Sequence, residues 1–259
     1  MLSNIIDELS ANGRFSFTLK DIEAFSVSST VAVKAAVGRL LKKGRVAMPH
    51  RGFYVIVPPE YRAIGCLPAE QFVDDLMKHL GEPYYVGLLS AAEYHGAAHQ
   101  RPQVFQIVAS KTHRKINCGK VQVEFIYRKN ITDVPTQRRN TPSGTIRVST
   151  PEATALDLVG YERRSGGLNN VLMVLSELAE KIDASRLLEA AAFSPTAWVQ
   201  RLGYLLEKQG EEENANILAA YIGEKGPARI PLVPGLTTKG SKSSGRWKLL
   251  VNSPLEADI

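Results

Sequence analysis

Apolar residues recur at three- and four-residue spacing from the start of the chain. Leu2, Ile5, Ile6 and Leu9 fall on one side, which predicts an amphipathic helix over residues 3–12 closed by Asn12-Gly13. Phe15 and Phe17 alternate with polar neighbours, a short strand signal. Thr18 is placed to cap a second helix, with Asp21 in its first turn and Leu19, Ile22 and Phe25 on its inner face. The four residues 26–29 (SVSS) read as a turn ending in capping residues. A third helix is predicted over 29–43: Val33, Val37, Leu40 and Leu41 line one side, and Lys34, Gly38, Arg39 and Lys42 fall largely on the other. Gly44 stops it. Residues 45–48 and 53–57 then flank Pro49-His50-Arg51-Gly52, which reads as a β-hairpin with a basic tip. Helix, strand, helix, turn, helix and hairpin in that order make a winged helix-turn-helix.

The pattern changes after Pro58-Pro59-Glu60-Tyr61. Residues 69–80 and 88–96 read as helices, the second ending at Gly96. Runs at 104–108, 121–127 and 145–148 read as strands, and Thr150-Pro151-Glu152 opens a helix with proline at its first position. Residues 168–181, 183–192, 195–208 and 212–223 are helical in pattern. The polar stretch 237–245 (TTKGSKSSG) reads as a mobile loop, with Trp247, Leu249 and Val251 anchoring a last strand. The expected architecture is therefore α/β (α+β): a winged helix-turn-helix at 1–58, then a larger mixed-sheet domain at 62–259. That domain is sheet-rich over 84–148, helical over 150–223, and closes with a basic loop and final strand over 224–259.

Charge sharpens the functional reading. The chain of 259 residues carries a net +6, a balance suited to a polyanionic partner. No carboxylate occurs from Ala24 to Pro59, whereas Lys34, Arg39, Lys42, Lys43, Arg45 and Arg51 all fall there. A run of one sign over a folded segment is what phosphate contact needs. Third helices of this plan enter the major groove N-terminus first. The expected DNA-contacting residues are thus Ser28, Ser29, Thr30, Lys34, Arg39 and Lys42, with His50 and Arg51 on the wing. A second basic cluster, including Lys111, Arg114, Lys115, Arg128, Lys129, Arg138 and Arg139, is opposed only by Glu124 and Asp133. It reads either as a second nucleic-acid surface or as solvated loop ends.

Catalytic and metal chemistry find little support. His95 and His99 are four apart beside Glu93, but Gly96 ends the helix that would align them and no third ligand is evident. Asp74 and Asp75 are adjacent, so on a helix they point apart. No phosphate-cradling GxxxxGK[ST], no GxSxG and no HExxH occurs. No cofactor, metal or catalytic set is expected. Cys66 and Cys118 form no CxxC and fit a reducing compartment. No run reaches the roughly 18 apolar residues of a membrane span, and a cytoplasmic location is expected.

Six stretches stand in a set order along the chain: 33–44 (VKAAVGRLLKKG) running into 50–55 (HRGFYV), then 89–96 (LSAAEYHG), 149–158 (STPEATALDL), 201–207 (RLGYLLE) and 247–252 (WKLLVN). In that set the chain resembles the AbiEi antitoxins, the transcriptional-regulator half of type IV toxin–antitoxin (abortive infection) pairs. The resemblance implies a winged helix that represses its own operon at inverted repeats, and a C-terminal domain that neutralises an AbiEii-like, nucleotidyltransferase-type toxin without a stable complex. It places Lys34, Arg39 and Arg51 at DNA. Two other readings stay open on the residues: a metal-dependent nuclease or nucleotidyltransferase targeted by the winged helix, and a ligand-sensing regulator.

Overall fold

The computed structural model describes residues 2–25, 29–97 and 102–255. Helices hold 46% of the described residues and strands 20%, the mixed α/β composition expected. By contacts the chain groups into two units. The first takes Met1–Tyr85, Gln103–Ile131 and Arg138–Arg147; the second takes Val86–Pro102, Thr132–Gln137 and Val148–Ile259.

In the first unit, α1 (Leu2–Ala11), β1 (Ser16–Thr18), α2 (Leu19–Ala24), α3 (Thr30–Lys42), β2 (Val46–His50) and β3 (Phe53–Ile56) follow the order read from the pattern. The strands form an antiparallel sheet, β1-β3-β2. Its core is local in origin: Ile6 and Leu9 from α1, Phe17 from β1, Ile22 from α2, Val33, Val37 and Leu40 from α3, with Val46 and Ile56 from the hairpin. Phe17 stacks on Tyr54 with ring centroids 5.4 Å apart. Thr18 caps α2 through a full capping box: its hydroxyl accepts from the Asp21 N–H, and the Asp21 carboxylate accepts from the Thr18 N–H at 2.6 Å.

The same unit holds α4 (Val73–Leu80), two residues of β4 (Tyr84–Val86), and the strands β5 (Phe105–Ala109), β6 (Ile116–Cys118) and β7 (Val121–Tyr127). Ser16 donates to Asp75 at 2.7 Å, and Phe53 lies against His79, tying the winged helix to α4. At the β6–β7 turn, Gly119 (φ +57°) fits where a Cβ would sit 2.1 Å from the Ile64 carbonyl, so only glycine allows that approach. Asp74 accepts from Tyr84 and Asp75 from Ser16, so the adjacent aspartates do point apart. Cys66 and Cys118 are free, buried and hydrogen-bonded to each other; that bond and burial push the Cys66 thiol well above its ordinary pKa.

The larger sheet runs β6-β7-β5-β4-β9-β8, with β8 (Thr136–Thr141) and β9 (Gly144–Ser149) at its far edge. β5 and β7 pair in parallel, β6 and β7 antiparallel. Neither β6 nor β8 was expected. β6 buries Ile116 and Cys118 around an exposed Asn117 but is only three residues, too short for the alternation to stand out, and β8 (TQRRNT) is polar throughout. Backbone pairing alone defines β8.

The second unit is mainly helical: α5 (Leu88–Tyr94), α6 (Pro151–Gly160), α7 (Leu168–Leu178), α8 (Ala184–Ala192), α9 (Thr196–Lys208) and α10 (Glu212–Lys225). α6 is its buried centre: Glu152 to Val159 are all shielded from solvent. α9 packs on it, and two glycines make room for aromatic rings. A Cβ on Gly160 would lie 2.2 Å from the Trp198 ring, and one on Gly203 1.9 Å from the Trp247 ring. Trp247 is fully buried and donates to Glu207 at 2.8 Å. A small sheet, β10 (Ile230–Pro231), β12 (Leu249–Val251) and β11 (Lys242–Ser244), closes the chain. This corrects the expectation of a loop throughout 237–245: residues 242–244 pair antiparallel with β12.

Candidate nucleic-acid interface

The site builds on α3. Its start is set by Ser29, whose hydroxyl accepts from the Ala32 N–H, and its position by Val33, Val37 and Leu40 in the core. With about 100° per residue, the direction opposite those three residues is taken by Val31, Ala35, Gly38 and Lys42, flanked by Lys34 on one side and Arg39 on the other. Ser29, Thr30, Lys34, Arg39 and Lys42 are all exposed. None of the four cations Lys34, Arg39, Lys42 and Arg51 pairs with a carboxylate among the described residues. Arg39 sits at the border of this face, on the rim of a groove of about 420 Å³ lined by Ile5, Ile22 and Val33. Ser28 lies outside the described residues.

The wing differs in detail from the expectation. β2 continues through Pro49 to His50, so the tip shrinks to Arg51-Gly52. Gly52 takes φ +81°, which the two-residue turn requires of a glycine. Arg51 is exposed at this tip. His50 pairs with Phe53 beyond a register shift in β2, is half-buried, and keeps its Nδ1 buried without a hydrogen-bond partner. Arg45, one of the cations counted in the carboxylate-free run, is turned inward: it donates to Asp7 and to Ser3, both at 2.5 Å.

The second basic cluster separates into several environments. Arg114, Lys115, Lys129 and Arg138 are exposed. Lys111 and His113 both engage the buried Glu82 carboxylate, at 3.1 and 3.0 Å. Burial works against Glu82 ionising, but those two partners outweigh it and hold its pKa below the usual carboxylate value. Arg139 is half-buried, with its Nε unpartnered. Arg128 corrects the expectation: it is only 7% exposed and donates to the Tyr85 hydroxyl at 3.2 Å, so its guanidinium serves the interior.

Nothing among the described residues assembles three metal-ligating side chains. The buried His95 ring bonds the Ser149 carbonyl at 2.8 Å, and His99 lies outside the described residues. No helix among the described residues is long and apolar enough to cross a membrane.

Residues 4–57 match the family model of a transcriptional regulator, AbiEi antitoxin, and residues 85–208 match that of the AbiEi antitoxin C-terminal domain. The chain belongs to the AbiEi antitoxin family. Members are antitoxins and transcription regulators, so both halves of this AbiEi chain carry the family's signature in the expected order. A search of curated protein sequences found no match. In fold, this AbiEi chain is similar to the crystal structure of the RV2827C protein from Mycobacterium tuberculosis, with a TM-score of 0.67 at 17% identity over 96% of this chain and 90% of that one. A nucleotidyltransferase-like protein from Paracoccidioides brasiliensis aligns with a TM-score of 0.37 at 9% identity, over 57% of this chain and 89% of that one. That likeness is too slight to bear on fold or activity.

The sequence pattern missed two apolar exposures: Val31, and Phe25, which was expected on the inner face of α2 but is 64% exposed at its C-terminal end. Period analysis sorted the cations of α3 from its core residues and left Val31 unassigned, although its position four residues before Ala35 and seven before Gly38 puts it on the solvent face.

Proposed function

We propose that this AbiEi chain is a DNA-binding autorepressor and the antitoxin of a type IV toxin–antitoxin system. Residues 1–58 read inverted repeats in the chain's own promoter. Residues 62–259 neutralise a nucleotidyltransferase-like toxin without forming a stable complex with it. The supporting observation is the cationic face of α3 and the wing: Lys34, Arg39, Lys42 and Arg51 are exposed, and among the described residues unpaired, on a segment without a carboxylate. A cation already neutralised by a protein carboxylate gains little from a phosphate, so these four are the ones that release counterions on binding. Such a regulator acts on DNA in the cytoplasm, and it needs no cofactor.

A gel-shift titration with the DNA upstream of its own gene tests the reading. Binding should weaken steeply with salt. Lys34→Ala and Arg51→Ala should each cost about 1 kcal/mol or more and flatten the salt dependence by about one phosphate contact. Absence of a shift at low salt refutes the repressor role, and unchanged affinity in both variants refutes the placement of the surface.

A further inference from the structure

Val31 is 78% exposed, the most exposed large apolar side chain among the described residues, and it sits in the first turn of α3. Nothing among the described residues explains it. A β-branched residue on a solvent face loses rotamer freedom in the helix and buries no apolar area in return. Its neighbours on the face, Ala35 and Gly38, carry no hydrogen-bonding side chain, and the space around Gly38 is open. The N-terminal part of the face is thus apolar and low, with Lys42 at its far end and Lys34 and Arg39 along its sides. In the major groove one base alone presents an apolar group, the C5-methyl of thymine.

Resting on the DNA-reading role above, we propose that Val31 is a specificity-determining residue that packs against the C5-methyl group of a thymine in the operator. The low surface of Ala35 and Gly38 lets α3 seat deeply enough for the two methyl groups to touch. Discrimination at that position then comes from apolar contact, while Lys34, Arg39, Lys42 and Arg51 hold the phosphates.

The test uses the full chain and two versions of the upstream DNA, amplified with dTTP or with dUTP, which differ only in the thymine methyls. The wild-type chain should bind the uracil version more weakly, by about fourfold for each contacted methyl. Val31→Ala should weaken binding to thymine DNA and bring the ratio of the two affinities to about one. Phe25→Ala, 64% exposed but outside α3, should keep the wild-type ratio. Val31→Ala exchanges an exposed valine for a better helix former, so its fold is retained, which circular dichroism checks. Equal wild-type affinity for both DNAs overturns the inference, as does a ratio that survives in Val31→Ala. Failure of the wild-type chain to bind either DNA at low salt is a separate outcome, and it overturns the DNA-reading role along with this inference.

Discussion

Replacing Gly38 by alanine should strengthen the fold and weaken DNA binding together. Gly38 lies in the interior of α3, outside the left-handed backbone region, and a Cβ built on it meets no atom within 4 Å. Glycine costs about 0.8–1.0 kcal/mol relative to alanine inside a helix. Without a clash to offset it, Gly38→Ala should stabilise by about that amount, which for a unit of about 120 residues raises Tm by roughly 3–4 °C. The same methyl projects from the face proposed to seat in the major groove, where extra volume in a close-packed contact costs about 1–3 kcal/mol. Affinity should therefore fall about fivefold or more while Tm rises. Thermal unfolding of the free protein and fluorescence anisotropy with labelled upstream DNA at fixed salt measure both. A lower Tm would refute the open environment of Gly38. A raised Tm with unchanged affinity would refute the placement of this helix face against DNA, because destabilisation could not then mask the effect.

Three further outcomes follow from the packing. Thr18→Ala should destabilise the winged helix by about 1 kcal/mol in urea titrations at pH 7. Burial works against Asp21 ionising, but the Thr18 hydroxyl and N–H and the Arg14 guanidinium outweigh it and lower its pKa. Its contribution is thus complete above the unfolded value of about 3.9 and is lost as pH falls through the folded value; an effect of Thr18→Ala that grows as pH falls would contradict this. Gly203→Ala would drive a methyl into the Trp247 ring, so the helical unit should lose about 1–3 kcal/mol or more and tryptophan emission should shift to the red as the ring leaves its site; unchanged emission and stability would show that the ring packs elsewhere. Arg128→Ala should cost about 1–3 kcal/mol by leaving buried polar groups unpartnered, whereas Lys129→Ala should stay within about 0.5 kcal/mol; equal effects would refute the burial of Arg128.

The winged helix was legible because its signals are local. Each of its helices has an apolar period and a terminal residue of the right chemistry within a few positions, as Thr18 with Asp21 and Ser29 with Ala32 show. The six-stranded sheet was legible only in part. β5 and β7 announce themselves with buried apolar residues, but β8 is polar and takes its form from hydrogen bonds to β9, which leave no mark on side-chain type. The same holds for 242–244, where a glycine- and serine-rich stretch pairs with β12 by backbone alone.

By itself the sequence determined that a carboxylate-free segment would fold into α3 and a hairpin, and so which cations belong to one surface element. Tertiary structure alone decided which charges are free to act. Arg45 is held by Asp7 at a separation of 38 residues, Lys111 by Glu82 at 29, and Arg128 by Tyr85 at 43. Such partners are chosen by packing rather than spacing, because an ion pair or hydrogen bond forms only where the fold brings two groups within about 3 Å. Helical spacing already turns Val31 away from Val33; packing decided that nothing among the described residues covers it, and that separates a core residue from the one proposed to read thymine.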